Sequence, residues 1–170
     1  MPGPYTVKLE GARIAGYQTT ILAILRDAHY AKNAQAWVDR LTGFLQAEIL
    51  TRMELSPDDY GLEFRLIGVN GALGALENRS GDPVEVGVLG IITAKNQADA
   101  AEIGKLINPF VLHYPLTDDE ELPTFAFPYS PATTDRGALY EFALNHVMAL
   151  DDPMSAFRIE VSHIRAEVPA

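Results

Sequence analysis

The chain has 170 residues, and 13 Lys+Arg against 23 Asp+Glu leave it at −10 at pH 7. With 48% hydrophobic and 21% charged residues it has globular proportions, and its length suffices to bury one core. The acidic excess argues against nucleic-acid or anionic-membrane binding, which need clustered Lys and Arg, and the absence of cysteine excludes thiolate nucleophiles, Cys-ligated zinc and disulfides.

Met1-Pro2-Gly3-Pro4 has neither a basic nor an apolar leader region, so no secretory signal is expected. The apolar run Ile21 to Leu25 stops at Arg26-Asp27, far short of a membrane span. These features give the expectation of a single cytoplasmic α+β domain over residues 1–170.

Tyr5 to Leu9 alternates and reads as a short strand, with Gly11 and Gly16 punctuating the step to the next one. Tyr17 to Arg26 is rich in β-branched residues and apolar on both sides, which predicts a central strand. From Ala34 to Leu50, Trp37, Val38, Leu41, Phe44, Leu45 and Ile49 follow helical spacing. Leu62, Phe64 and Leu66 alternate with charges as a half-buried strand. Val69 to Arg79 is turn chemistry, and Val84, Val86, Val88 and Ile92 alternate again.

Asn96 is placed to cap a helix, with Asp99 at its third position. Ala100, Ile103, Ile107 and Phe110 form its apolar face, and Pro109 predicts a kink or an end. An acidic loop follows, from Pro115 to Pro123. Thr124 to Phe127 reads as a short strand. Leu139 to Met148 alternates, with Tyr140, Phe142, Leu144, His146 and Met148 on one face. Phe157, Ile159 and Val161 predict a last strand. Without the terminal and connecting strands the order is β–α–β–β–α–β, the ferredoxin-like split βαβ order. Two helices would cover one face of an antiparallel sheet and leave the other open, or covered by loops or another subunit.

Gly68-Val69-Asn70-Gly71-Ala72-Leu73-Gly74 has glycine spacing G-x-x-G-x-x-G. A dinucleotide loop needs G-x-G-x-x-G before a helix, and here a strand follows, so hairpin or loop structure is the first reading and anion binding the second. None of the four histidines pairs with another at metal-ligand spacing, and no metal is expected. His146 reads first as a core histidine on an apolar strand face. His113, at a helix end, suits either a charge–dipole role or chemistry. Ser130 lies in the aromatic–proline segment Phe127 to Pro131, which would line a pocket or cap a core. Arg26, at a strand end, reads first as a local ion pair and second as a bidentate grip on a carboxylate or phosphate. Asp118 to Glu121 reads as a solvated acidic loop, and Asp151-Asp152-Pro153 as a turn.

Taken in order, several segments resemble the C-terminal region of the acyclic terpene utilisation (AtuA-like) family. They are Gly11-Ala12 with Gly16-Tyr17, Ile24 to Asp27, Phe64 to Glu77, Leu112 to Pro115, Ala126 to Pro131, and Leu139 to Pro153. The resemblance runs from about residue 8 to residue 160. The family's larger N-terminal α/β region has no counterpart here, and Pro109 falls in a helix the family would usually continue. The resemblance implies a place in catabolism of branched carboxylic acids or their CoA thioesters, as a hydratase or lyase subunit with no cofactor. It also implies a separate, larger α/β subunit as partner. On that reading Arg26, Asn70, Gly71 and Ser130 would bind substrate, and His113, His146 or Glu77 would move a proton. An acidic chain disfavours CoA, so CoA contacts would come mainly from the partner. The alternative expectation is a self-associating binding or structural module that catalyses nothing.

Overall fold

The computed structural model describes residues 4–162, so His163 lies outside the described residues. In chain order the elements are β1 (Tyr5–Leu25), α1 (Ala28–Lys32), α2 (Ala34–Met53), β2 (Tyr60–Ile67), a 3-10 turn (Gly74–Leu76), β3 (Val86–Ala94), α3 (Gln97–His113), β4 (Phe125–Ala126) and β5 (Thr133–Leu150). The protein is α+β, with an open five-stranded sheet. Strands β2, β3, β1 and β4 are neighbours in that order, and β5 also pairs with β1. β1 runs antiparallel to β3 and β4, and β2 antiparallel to β3. The chain packs as two compact units. One is Ile14–Tyr140. The other joins the described residues up to Arg13 with those from Glu141 onward.

In the larger unit, β1 pairs with β3 from Tyr17↔Ala94 to Leu25↔Val86. Side chains alternate between sheet faces, so Ile21, Ala23 and Leu25 share a face with Val86, Val88 and Ile92, and all six are buried. Leu22, Ile24, Leu89 and Ile91 point the other way and stay half-exposed. Trp37, Val38, Leu41, Leu45 and Ile49 of α2 join the same core as Ala100, Ile103, Ile107 and Val111 of α3. Both long helices therefore cover one sheet face, as the apolar spacing requires. Phe44, expected on this face of α2, is half-buried and stacks on Tyr114 at 4.6 Å.

Trp37 joins several segments. Its indole N–H donates to the Tyr114 carbonyl at 2.8 Å, and its ring lies 5.3 Å from Phe125 and 6.5 Å from Tyr30. Tyr30 in turn donates to the Glu121 carbonyl at 2.6 Å and accepts from the Leu116 N–H at 3.0 Å. The acidic loop is thus pinned against the helices rather than simply solvated. Arg40 pairs with Asp118, and His29 with Glu120 at 3.2 Å.

Asn96 caps α3 as its sequence position predicts, its side chain accepting from the Asp99 N–H at 2.9 Å. Pro109 does not end the helix, which continues to His113. Pro109 and Lys105 are both exposed. The carbonyl that loses its N–H partner therefore lies on the solvent side, where water can replace the bond. The two predicted N-terminal strands are one strand, because neither glycine interrupts it. Gly16 instead allows close approach: a Cβ there would stand 2.8 Å from the Ala94 carbonyl oxygen.

In the smaller unit, Arg13 Nε donates to Glu141 Oε1 at 2.5 Å. A Cβ on Gly11 would lie 3.4 Å from Leu144 Cβ. None of the unit's described residues is buried. Phe142, Leu144 and Met148 are exposed, and so is His146, which is not the core histidine the alternation suggested. Alternation marks one side of a strand, but no helix of this unit lies over that side among the described residues. Phe157, Ile159 and Val161 form no strand and are exposed. The turn at Asp151 to Pro153 is present, closed by the Met154 N–H on Asp152 Oδ1 at 3.0 Å.

Candidate functional site

The segment between β2 and β3 is built around one carbonyl. Leu66 O accepts from the N–H groups of Val69 at 3.0 Å, Asn70 at 3.0 Å and Gly71 at 2.9 Å. This winding leaves no room for a side chain at residue 71, where a Cβ would lie 3.1 Å from Leu66 O and 3.2 Å from Ile67 Cα. Gly68 takes a φ of 97°, which favours glycine. The glycine-rich stretch is loop and a three-residue 3-10 turn, as its spacing first suggested, and presents no long helix to an anion.

Glu77 is held at the end of that turn. Its Oε1 accepts from the Arg79 N–H at 2.9 Å, the Asn78 N–H at 3.1 Å and Arg79 Nε at 3.3 Å. The Arg79 N–H first, then its guanidinium, lowers the Glu77 pKa below the usual carboxylate range. A carboxylate held this way favours its anionic form more than a free one does. Asn70 Nδ2 donates to Gln35 Oε1 at 2.9 Å and ties the loop to α2. Lys32 Nζ reaches Asp82 Oδ2 at 3.0 Å and ties its far end to α1.

Two open clefts flank this loop, each of about 500 Å³. Glu77, Arg79 and Asp82 line one, and Gln35, Arg65 and Asn70 line the other. Gly71 and Ala72 form the wall between them, lining both. Of the expected site residues, Gly71 lines both clefts, Glu77 lines the first and Asn70 the second. Arg26, His113 and Ser130 line neither cleft. Arg26 makes the local ion pair of its first reading, 3.4 Å from Glu85. His113 is exposed at the last position of α3, and Ser130 is exposed before β5. His146 belongs to the other compact unit. The clefts offer fixed charges, amides and backbone groups, suited to holding a polar molecule. No histidine lines them to carry a proton.

Among the described residues no cluster of three His, Asp or Glu is arranged to hold a metal ion, and no helix is long and apolar enough to cross a membrane.

The sequence gives no signal for a second polar centre in the larger unit. Thr19 of β1 is its buried polar side chain. The Thr19 hydroxyl donates to Asp135 Oδ1 at 2.8 Å and accepts from Gln97 Nε2 at 2.9 Å. The partners lie 116 and 78 positions away, which no local spacing rule can join. A third polar knot closes the end of α2. Asp59 accepts from Ser56 Oγ at 2.7 Å, the Ser56 N–H at 3.0 Å and Lys95 Nζ at 2.6 Å. Lys95 first, then Ser56, lowers the Asp59 pKa to about 2.

No family model matches the chain, and neither a curated protein nor a solved structure matches it.

Proposed function

We propose that the chain is the smaller subunit of a two-chain assembly acting on a branched carboxylic acid or its CoA thioester, with a larger α/β chain as its partner. One observation carries the subunit reading. The smaller compact unit buries none of its described residues, yet exposes Phe142, Leu144, Val147, Phe157, Ile159 and Val161. A two-stranded ribbon without cover is marginal in water, and this many exposed apolar side chains call for an association surface. The scatter of Arg26, His113 and Ser130 away from Glu77 further supports chemistry completed by another chain. The substrate class and the hydratase or lyase activity come from the AtuA-like resemblance.

For the fold, the strand order β4-β1-β3-β2 and both long helices on one face support the ferredoxin-like split βαβ layout, with the β5 ribbon as an addition. The open sheet face at Leu22, Ile24, Leu89 and Ile91 adds a second surface for the partner. A cytoplasmic location fits this role.

The test is mild affinity recovery from the native host, with mass spectrometry and native sizing. A stoichiometric larger chain is expected, and hydration of branched α,β-unsaturated acyl-CoA esters is then assayed on the complex. Recovery of this chain alone as a defined homo-oligomer overturns the proposal. The second reading, a homo-oligomeric binding module that catalyses nothing, then takes its place. It is favoured by the lowered pKa of Glu77 and by cleft linings that contain no histidine.

A further inference from the structure

We propose that the cavity beside Thr19 is a binding site for a small compound bearing a primary ammonium group, with the Asp135 carboxylate as its anchor. The cavity is about 430 Å³, within the range of small-molecule sites, and lies wholly in the larger unit. Thr19, Thr133, Thr134, Asp135, Lys105 and Pro131 line it.

Three features favour a cationic ligand. The buried Thr19 hydroxyl spends its proton on Asp135 Oδ1, and Gln97 fixes that hydroxyl from the other side. The carboxylate is therefore oriented in advance, while Oδ2 receives no side-chain donor among the described residues. Next, the opposite charges at the cavity do not satisfy each other. Lys105 Nζ turns to Glu102 Oε1 at 2.5 Å and makes no ion pair with Asp135. Glu102 foremost, and Asp135 at longer range, raise the Lys105 pKa and keep it an ammonium. Lys105 lines the cavity with its ammonium already paired to Glu102 outside the lining, and Asp135 is the carboxylate that faces it without an ion-pair partner. An anionic ligand would have to displace Glu102, whereas an ammonium meets a free carboxylate oxygen and two threonine side chains. Finally, Gly104 lets α3 close on this spot, since a Cβ there would come within 3.0 Å of Thr19 Cγ2 and 3.6 Å of Thr133 Cγ2. The Ala101 and Pro131 side chains give the remainder of the cavity an apolar lining for a short carbon chain.

The experiment is calorimetric titration of the full chain with 1,4-diaminobutane, 1,4-butanediol and succinate at low ionic strength. Saturable binding of the diamine at one site per chain is expected, with none for the diol or the diacid. Asp135→Asn keeps an oxygen for the Thr19 hydroxyl and removes the charge, and should weaken binding at least tenfold. Ala101→Leu fills the cavity without touching the carboxylate and should do the same, which decides the matter if Asp135→Asn unfolds. Asp119→Asn removes a charge elsewhere and should leave binding unchanged. Absence of saturable diamine binding overturns the proposal. So does equal binding by the native chain and either cavity variant, or an equal loss in Asp119→Asn, which would mean general attraction to an acidic chain. The titration needs no partner subunit, so it fails or succeeds separately from the recovery experiment above.

Discussion

The two compact units carry the same sequence signature and put it to opposite use. In the larger one, alternating Val86, Val88 and Ile92 are sealed beneath two helices. In the smaller one, alternating Phe142, Leu144 and Met148 face solvent. Alternation states which side of a strand is apolar. Whether that side is covered depends on a second element, and among the described residues only the larger unit has helices to supply one. The first unit buries its apolar surface within itself, and the second leaves it exposed.

The sharpest way to break this comparison is to remove a side chain from the sealed core. Trp37→Ala should cost about 3–5 kcal/mol in chemical denaturation, because it empties a fully buried site and strands the Tyr114 carbonyl. A value near zero would mean that the helices do not seal the sheet. Overfilling the same core should cost less. A Cβ on Gly90 would stand 2.7 Å from Ile21 Cγ2 and 3.0 Å from Phe64 Cε1, so Gly90→Ala should lose about 1–3 kcal/mol. Equilibrium unfolding of the isolated chain checks both expectations.

Acid offers a smaller handle on the larger unit. The folded pKa of Asp59, about 2, lies below its ordinary 3.8. Its contribution is therefore present above about pH 3.8 and lost as pH falls toward 2. Asp59→Asn should be less stable than the native chain at neutral pH, and the two should converge as the solution is acidified through that window. Parallel curves down to pH 2 would detach Asp59 from the acid response.

The smallest expected change in stability is in the smaller unit. Phe142→Ser with Leu144→Ser should alter unfolding by no more than about 0.5 kcal/mol, since both residues are already exposed. The same pair should abolish recovery of the larger partner proposed for the native chain. Loss of several kcal/mol in the isolated chain would show that this face is buried within it.

The sequence made the sealed unit legible and the exposed one misleading, and the residues show why. Trp37, Leu41, Leu45 and Ile49 announced their helix because helical spacing and burial coincide there. Asn96 announced a helix start because capping is a contact within a few residues. Gly11 and Gly16 looked like breaks, yet a glycine also lets strands approach, and spacing does not distinguish the two roles. Pro109 looked like a stop, but its exposed position spares the helix. Of the candidate site, Asn70, Gly71 and Glu77 were legible together because one loop carries them. The Thr19, Gln97 and Asp135 centre was invisible, since β1, α3 and β5 meet there only after folding.

Trp37 has an optical consequence. It is the chain's single tryptophan, so intrinsic fluorescence excited at the red edge comes from one indole. That indole meets α1 through Tyr30, β4 through Phe125 and the end of α3 through Tyr114. Its emission reports whether those segments are docked, while nothing in the ribbon of Glu141 to Leu150 shares the chromophore. A melt followed by fluorescence and another followed by backbone circular dichroism thus observe different parts of one polypeptide. Any gap between the two curves measures directly how independently the ribbon comes apart.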